Sequence, residues 1–192
     1  MQTPVSLLER LRRRPDEPSW RRLDALYRPL IVRWLRLDSS LGPEAEDLTQ
    51  DVMQVIVREI ANFERERAGS FRRWLRLVTT HRLKDFWRRR HTLPRTPGGG
   101  HQDSILLQLE DPASELSQRW DREHDQYVLT RLIELIEPEF EPKTWKAFRG
   151  IVLESRKPSD IAKDLAITPN AVLLAKSRIL KRLREESKGL LD

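Results

Sequence analysis

Apolar residues along this chain recur at helical spacing, in blocks set apart by Pro- and Gly-containing breakers. Leu7, Leu8 and Leu11 form a short first piece. Trp20, Leu23, Tyr27, Leu30, Ile31 and Trp34 then follow at the steps that line one face of an α-helix. Pro29 removes one backbone donor from that second run and is expected to kink the helix rather than end it. After the breaker SSLGP, the stretch EAEDLTQDVMQVIVREIANF puts Leu48, Val52, Val55, Ile56, Ile60 and Phe63 on one stripe. Acids in its first turn suit the positive end of the helix dipole. A loop, ERERAGS, leads into FRRWLRLVTTHRLKDFWRRR, where Phe71, Trp74, Leu75 and Val78 can face a core.

Periodicity resumes with Trp120, Tyr127, Val128, Leu132 and Ile136, breaks at EPEFEP, and continues through Trp145, Phe148 and Val152. In the closing stretch, KPSDIAKDLAITPNAVLLAKSRILKRLRE, Pro158 suits a first helical position, and Ile161, Ala162 and Leu165 make a short buried face. Thr168 and Pro169 restart a second helix as cap and first residue. Between the two periodic blocks, residues 92–118 concentrate Pro, Gly, Ser and acids with little periodicity, the composition of a flexible tether. No alternating strand pattern and no internal repeat is visible. The expectation is an all-α chain of two small helical domains, residues 1–91 and 119–192, joined by a flexible acidic linker at 92–118.

Charge sharpens this division. The formal net charge is +6 and the isoelectric point about 10.0, which favours a polyanionic partner. Lys and Arg outnumber Asp and Glu by 20 to 13 in residues 1–91 and by 15 to 13 in 119–192, whereas residues 92–118 carry 1 against 4. The chain has no cysteine, which excludes disulfides, thiolate metal sites and cysteine nucleophiles. No apolar run approaches the length that spans a bilayer, so no membrane insertion and a cytoplasmic location are expected. His81, His91, His101 and His124 show no metal-ligand spacing, and TPGGG lacks the Lys-Ser/Thr end of a phosphate loop. We therefore expect no enzyme, no cofactor and no metal.

Three faces carry candidate chemistry. In the closing helix-turn-helix, Val172, Ala175, Ile179 and Leu183 turn inward. Asn170, Ser177, Arg178, Lys181 and one of Leu173 and Leu174 look outward, where they could enter a major groove. The other leucine is expected to pack inside. Ala166 occupies the turn position where Gly is common, which costs little unless that residue takes a positive φ. In residues 70–90, Arg72, Arg76, Thr80, Lys84 and Arg88 recur every fourth residue as a basic face beside aromatics, the mixture that holds phosphates and stacked bases. On the helix after Gly42 and Pro43, Asp47, Gln50, Asp51 and Gln54 form an acidic, amide-rich stripe, either solvated or suited to docking on a basic protein helix.

In this order, the acidic helix, the basic aromatic helix, the acidic tether and the terminal motif resemble a bacterial RNA polymerase sigma factor of the sigma-70 family, extracytoplasmic-function group. AEDLTQDVMQVIVREI looks like the polymerase-binding segment of the region 2 domain, and SFRRWLRLVTTHRLKDFWRRR like its promoter-melting segment. IAKDLAITPNAVLLAKSRILKRLRE looks like the region 4 motif, and NAVLLAKSRILKRLRE is similar to planctomycete-type members. The resemblance implies that Asp47, Gln50, Asp51 and Gln54 dock on the beta-prime clamp of core polymerase, and that the second domain sits on the beta flap. It implies that Arg72, Arg76, Thr79, Thr80, His81, Lys84, Trp87 and Arg88 hold single-stranded minus-ten DNA. It further implies that Thr168, Asn170, Ala171, Leu173, Leu174, Ser177, Arg178 and Lys181 read the duplex minus-thirty-five element. An anti-sigma factor is an additional partner that the resemblance admits. The competing function is a stand-alone helix-turn-helix regulator that binds duplex DNA through the terminal helix, a reading that accounts only for the second half of the chain.

Overall fold

The computed structural model of the chain describes residues 6–36, 41–64, 70–90 and 101–191. Among these residues there are nine α-helices and no strand, as the all-α expectation requires. They are α1 (Leu7–Arg13), α2 (Glu17–Leu35), α3 (Glu44–Glu59), α4 (Ser70–Arg90), α5 (His101–Glu110), α6 (Glu115–Ile136), α7 (Pro142–Val152), α8 (Pro158–Leu165) and α9 (Pro169–Ser187).

Local chemistry sets several of the boundaries. Ser6, Asp16, Ser114 and Thr168 each accept a hydrogen bond from a backbone N–H in the first turn of α1, α2, α6 and α9, respectively. Such a cap contributes about 1 kcal/mol by satisfying a donor that the helix itself leaves open. Pro29 lies inside α2, and the helix runs on past it for six residues to Leu35, as expected. Three acids, Glu44, Glu46 and Asp47, occupy the first turn of α3.

Helices α2, α3 and α4 pack on one another, α6 packs on both α2 and α4, and α9 packs on α6, α7 and α8. The two helical units expected from the sequence therefore share one apolar core, in which Trp34 of α2 and Trp120 of α6 lie with ring centroids 4.6 Å apart. Tyr27 of α2 stacks on His124 of α6 at 5.8 Å, and both side chains are fully buried. A second, smaller cluster of Ala147, Ile161, Ala162, Val172 and Ala175 holds α7, α8 and α9 together. Gly150 permits that approach, since a Cβ there would lie 2.7 Å from the Ile161 Cδ1 atom.

The segment expected as a tether differs in part. Residues 92–100 lie outside those described, but 101–110 form α5, and α6 begins at Glu115. Leu106 and Leu109 are buried, and α5 packs on α4 and α6. Its apolar residues, Ile105, Leu106, Leu107 and Leu109, crowd into five positions rather than recurring along a long stripe, so a ten-residue helix does not stand out among Pro, Gly and acids; contacts with two longer helices hold it in place.

Candidate nucleic-acid interface

The acidic stripe is exposed throughout. Asp47, Gln50, Asp51 and Gln54 all face solvent from α3, because Leu48, Val52, Val55 and Ile56 take its opposite side into the core. Arg28 donates to the Gln50 Oε1 atom at 3.2 Å from one flank. Val57, also exposed, extends the stripe by one turn with an apolar side chain, which a pattern of charged and amide positions does not mark.

The basic face of α4 divides in two. His81, Lys84 and Arg88 are exposed, with Lys84 3.5 Å from Glu110 and Arg88 3.0 Å from Asp85. Arg76, by contrast, is 1% exposed; its guanidinium donates to Asp121 at 2.6 Å and to the Ser117 carbonyl at 3.3 Å. Arg72 is half-buried and pairs with Asp121 and Asp125. Thr79 and Thr80 are buried, their hydroxyls donating to the carbonyls of Leu75 and Arg76. Trp87 is 4% exposed, inside the apolar core. The single basic face expected over Arg72, Arg76, Thr80, Lys84 and Arg88 is thus an open cationic end and a closed seam against α6.

The acids that close the seam were not singled out from the sequence, yet a signal exists. Asp121 and Asp125 are four residues apart on α6, matching the four-residue step between Arg72 and Arg76 on α4. Burial pushes the Asp125 carboxyl up, but hydrogen bonds from His124 and Arg72, together with their charge, outweigh it and hold that carboxyl below its ordinary range. A second seam joins α9 to α1 and α2. Glu186, fully buried, accepts from Arg10 at 3.2 Å, from Arg22 at 3.0 Å and from Arg182. Arg22 and Arg182 also reach Glu139 at 2.7 and 2.6 Å. Burial raises the Glu139 carboxyl as well, and the two arginines overcome it, leaving a net lowering.

The face of α9 is open. Thr168 caps the helix through its Oγ1, which accepts from the Ala171 N–H at 3.1 Å. Asn170, Ser177, Arg178 and Lys181 are exposed and Ala171 is half-buried. Leu173 and Leu174 are 50% and 48% exposed, so the expected division into one packed and one outward leucine does not hold. The core side of α9 is already filled by Val172, Ala175, Ile179 and Leu183. Ala166 takes φ 50° and ψ 54°, the left-handed conformation for which Gly is better suited. The turn is nonetheless well made: the Ile167 N–H donates to the Ala162 carbonyl at 3.0 Å and the Ala166 N–H to that of Lys163 at 3.3 Å, closing the end of α8.

Among the described residues no group of His, Asp or Glu is placed to hold a metal ion, and no helix is long and apolar enough to cross a membrane. What the geometry offers is a set of helical faces of opposite charge, one acidic on α3 and two cationic on α4 and α9, suited to docking on protein and nucleic acid. Residues 23–92 match the Sigma-70 region 2 family, so α3 and α4 lie in a sigma-70 region 2 domain. That domain supports an RNA polymerase sigma factor of the sigma-70 family and implies binding to core RNA polymerase and promoter DNA. The match covers about a third of the chain and ends before α5. No curated protein and no solved structure matches the chain.

Proposed function

We propose that the chain is a sigma factor of the extracytoplasmic-function group, similar to planctomycete-type members, that binds core RNA polymerase and directs promoter-specific initiation from the cytoplasm. The observation that carries this reading is the exposed stripe of Asp47, Gln50, Asp51 and Gln54 on α3, within the matched region 2 domain. Its charge and exposure suit a basic helix of the polymerase clamp. Helices α6 to α9 serve as the region 4 unit, docking on the beta flap and presenting the exposed positions of α9 to the minus-thirty-five duplex.

On α4, Lys84 and Arg88 offer a cationic end for a strand of separated minus-ten DNA, with His81 exposed beside them and Arg72, Arg76, Thr79, Thr80 and Trp87 behind. Use of Arg72 and Arg76 on phosphates requires them to leave Asp121 and Asp125, so productive promoter binding goes with separation of α4 from α6. An anti-sigma partner acting on either unit would bear on the same equilibrium.

Exchanging both Asp47 and Asp51 for Lys tests the reading. Both are exposed, so the melting temperature is expected to fall by only about 2–4 °C, the cost of placing a cation in the first turn of α3, whereas capture of core polymerase is lost, because the stripe then repels a basic clamp helix. Unchanged capture refutes the assignment. A chain that ignores core polymerase and binds duplex promoter DNA by itself is instead the stand-alone regulator.

A further inference from the structure

Leu173 and Leu174 stand where a helix that enters a groove makes its first contacts, in its opening two turns, just beyond the Thr168 cap. Half the surface of each is exposed, although Val172 before them and Ala175 after them are buried. Neither leucine is needed for the packing of α7, α8 and α9, which the cluster around Ala147, Ile161 and Val172 supplies. Exposed leucines set among cations suit a partner with apolar features on an otherwise anionic surface.

The surroundings identify that partner. Asn170 lies three and four residues before the pair, and Ser177, Arg178 and Lys181 lie after it; all are exposed on the same side of α9. Neither Arg178 nor Lys181 has a carboxylate partner among the described residues, and the acids of this helix, Glu185 and Glu186, are half-buried and buried. Two half-exposed leucines are also far short of the ~800 Å² that each side of a stable protein interface contributes. A cationic face with a small apolar centre fits the major groove, where the one apolar group on a base edge is the C5-methyl of thymine.

We propose that Leu173 and Leu174 are specificity-determining residues that read thymine methyl groups in the major groove of duplex DNA. The proposal rests on the assignment of α9 as a DNA-reading helix. Leu173 and Leu174 project about 100° apart around the helix, so they meet adjacent base pairs rather than one. The exposed cations bind phosphates on either side and set the register, and Asn170 and Ser177 supply the hydrogen-bonding contacts to neighbouring base edges. Thymine-bearing sites are thus selected by burial of methyl groups, not by added hydrogen bonds.

The test uses the full chain bound to core polymerase and a duplex selected by that complex from a randomised pool. Each thymine of the selected upstream element is replaced by uracil, which pairs identically and lacks only the methyl. Binding is expected to weaken about fourfold for each thymine in contact, the scale of one buried methyl group. Leu173→Ala and Leu174→Ala should each keep the wild-type melting temperature, bind the thymine duplex more weakly, and lose most of the difference between thymine and uracil. Replacing a cytosine at a contacted step by 5-methylcytosine should recover affinity in the wild type but not in the leucine variants. Equal binding of thymine and uracil duplexes overturns the proposal, as does a uracil effect that persists undiminished in both variants. Weakened binding to core polymerase alone in either variant overturns it by assigning the leucines to a protein contact. If the complex selects no duplex at all, α9 is not a DNA reader, and the proposal falls together with the reading it rests on.

Discussion

Helices α4 and α9 are both long, cationic and placed to meet nucleic acid, but they treat their charge differently. On α4, Arg72 and Arg76 of the first two turns face inward, where Asp121, Asp125 and the Ser117 carbonyl receive them. On α9 Arg178 and Lys181 remain in solvent, and the inward-facing charge lies near the end of the helix, where Glu186 binds Arg10 and Arg22. A buried guanidinium without a partner is costly, so α4 can use Arg72 and Arg76 on DNA only by exchanging one set of anions for another. Helix α9 can bind without any such exchange. Two cationic helices of similar length thus differ in whether binding must first break something.

The strongest way to break this comparison is at Glu186. Glu186→Ala leaves three guanidiniums around an empty position and is expected to cost ~3 kcal/mol or more in a denaturant titration, while Lys181→Ala on the open side of the same helix should change stability by less than about 0.5 kcal/mol. Similar losses for the two variants would abolish the distinction between seam and open face.

Asp121→Asn combined with Asp125→Asn addresses α4 directly. Because both acids are partly exposed, the expected loss of stability is smaller, about 2 kcal/mol. The release of Arg72 and Arg76 should raise affinity for single-stranded DNA and expand the chain in small-angle scattering. Tighter strand binding without expansion would mean that α4 works while still docked on α6.

Acid should act in the same direction. The Asp125 and Glu139 carboxyls are held below their ordinary range, so their contribution is complete above the carboxylate values of unfolded chains, about 4, and is lost as the pH falls through the lowered folded values. Tryptophan fluorescence of the Trp34–Trp120 contact, followed downward from pH 6, should therefore stay level to about pH 4 and change below it. A transition centred well above pH 4 would show that these two carboxyls do not govern the contact.

The smallest effect belongs to the turn before α9. Ala166→Gly removes the left-handed strain and should stabilise the chain by about 1 kcal/mol, without altering polymerase capture. A loss of stability would show that the entropy gained by the unfolded glycine chain outweighs the strain relieved.

How far these features were legible depended on where their partners lie. The α3 stripe could be read because Leu48, Val52 and Ile56 fix which side is buried, leaving Asp47 and Asp51 outside by geometry alone. The cap and turn at Thr168 were legible for the same local reason. Arg72 and Arg76 were not, since a four-residue step of arginines looks alike on a solvated face and on a seam, and only Asp121 and Asp125, more than forty residues away, decide between them. Helix α5 was hidden because Leu106 and Leu109 are buried by neighbours that composition does not reveal. For Leu173 and Leu174 the pattern predicted one buried side chain, but Val172 and Ala175 fill the inward positions and leave no room for either.

The pairing of Arg10 with Glu186 joins positions 176 residues apart. Loop-closure entropy grows only logarithmically with such a span, so the contact is not penalised in proportion to its length. In time, however, it belongs among the last contacts a chain can make, after helices that pack on near neighbours have already assembled. On the ribosome Arg10 and Arg22 emerge long before residue 186 exists. The half that carries α3 and α4 is therefore synthesised without the anion that later ties it to α9, and for that interval a nascent chain presents more cationic surface than the finished protein.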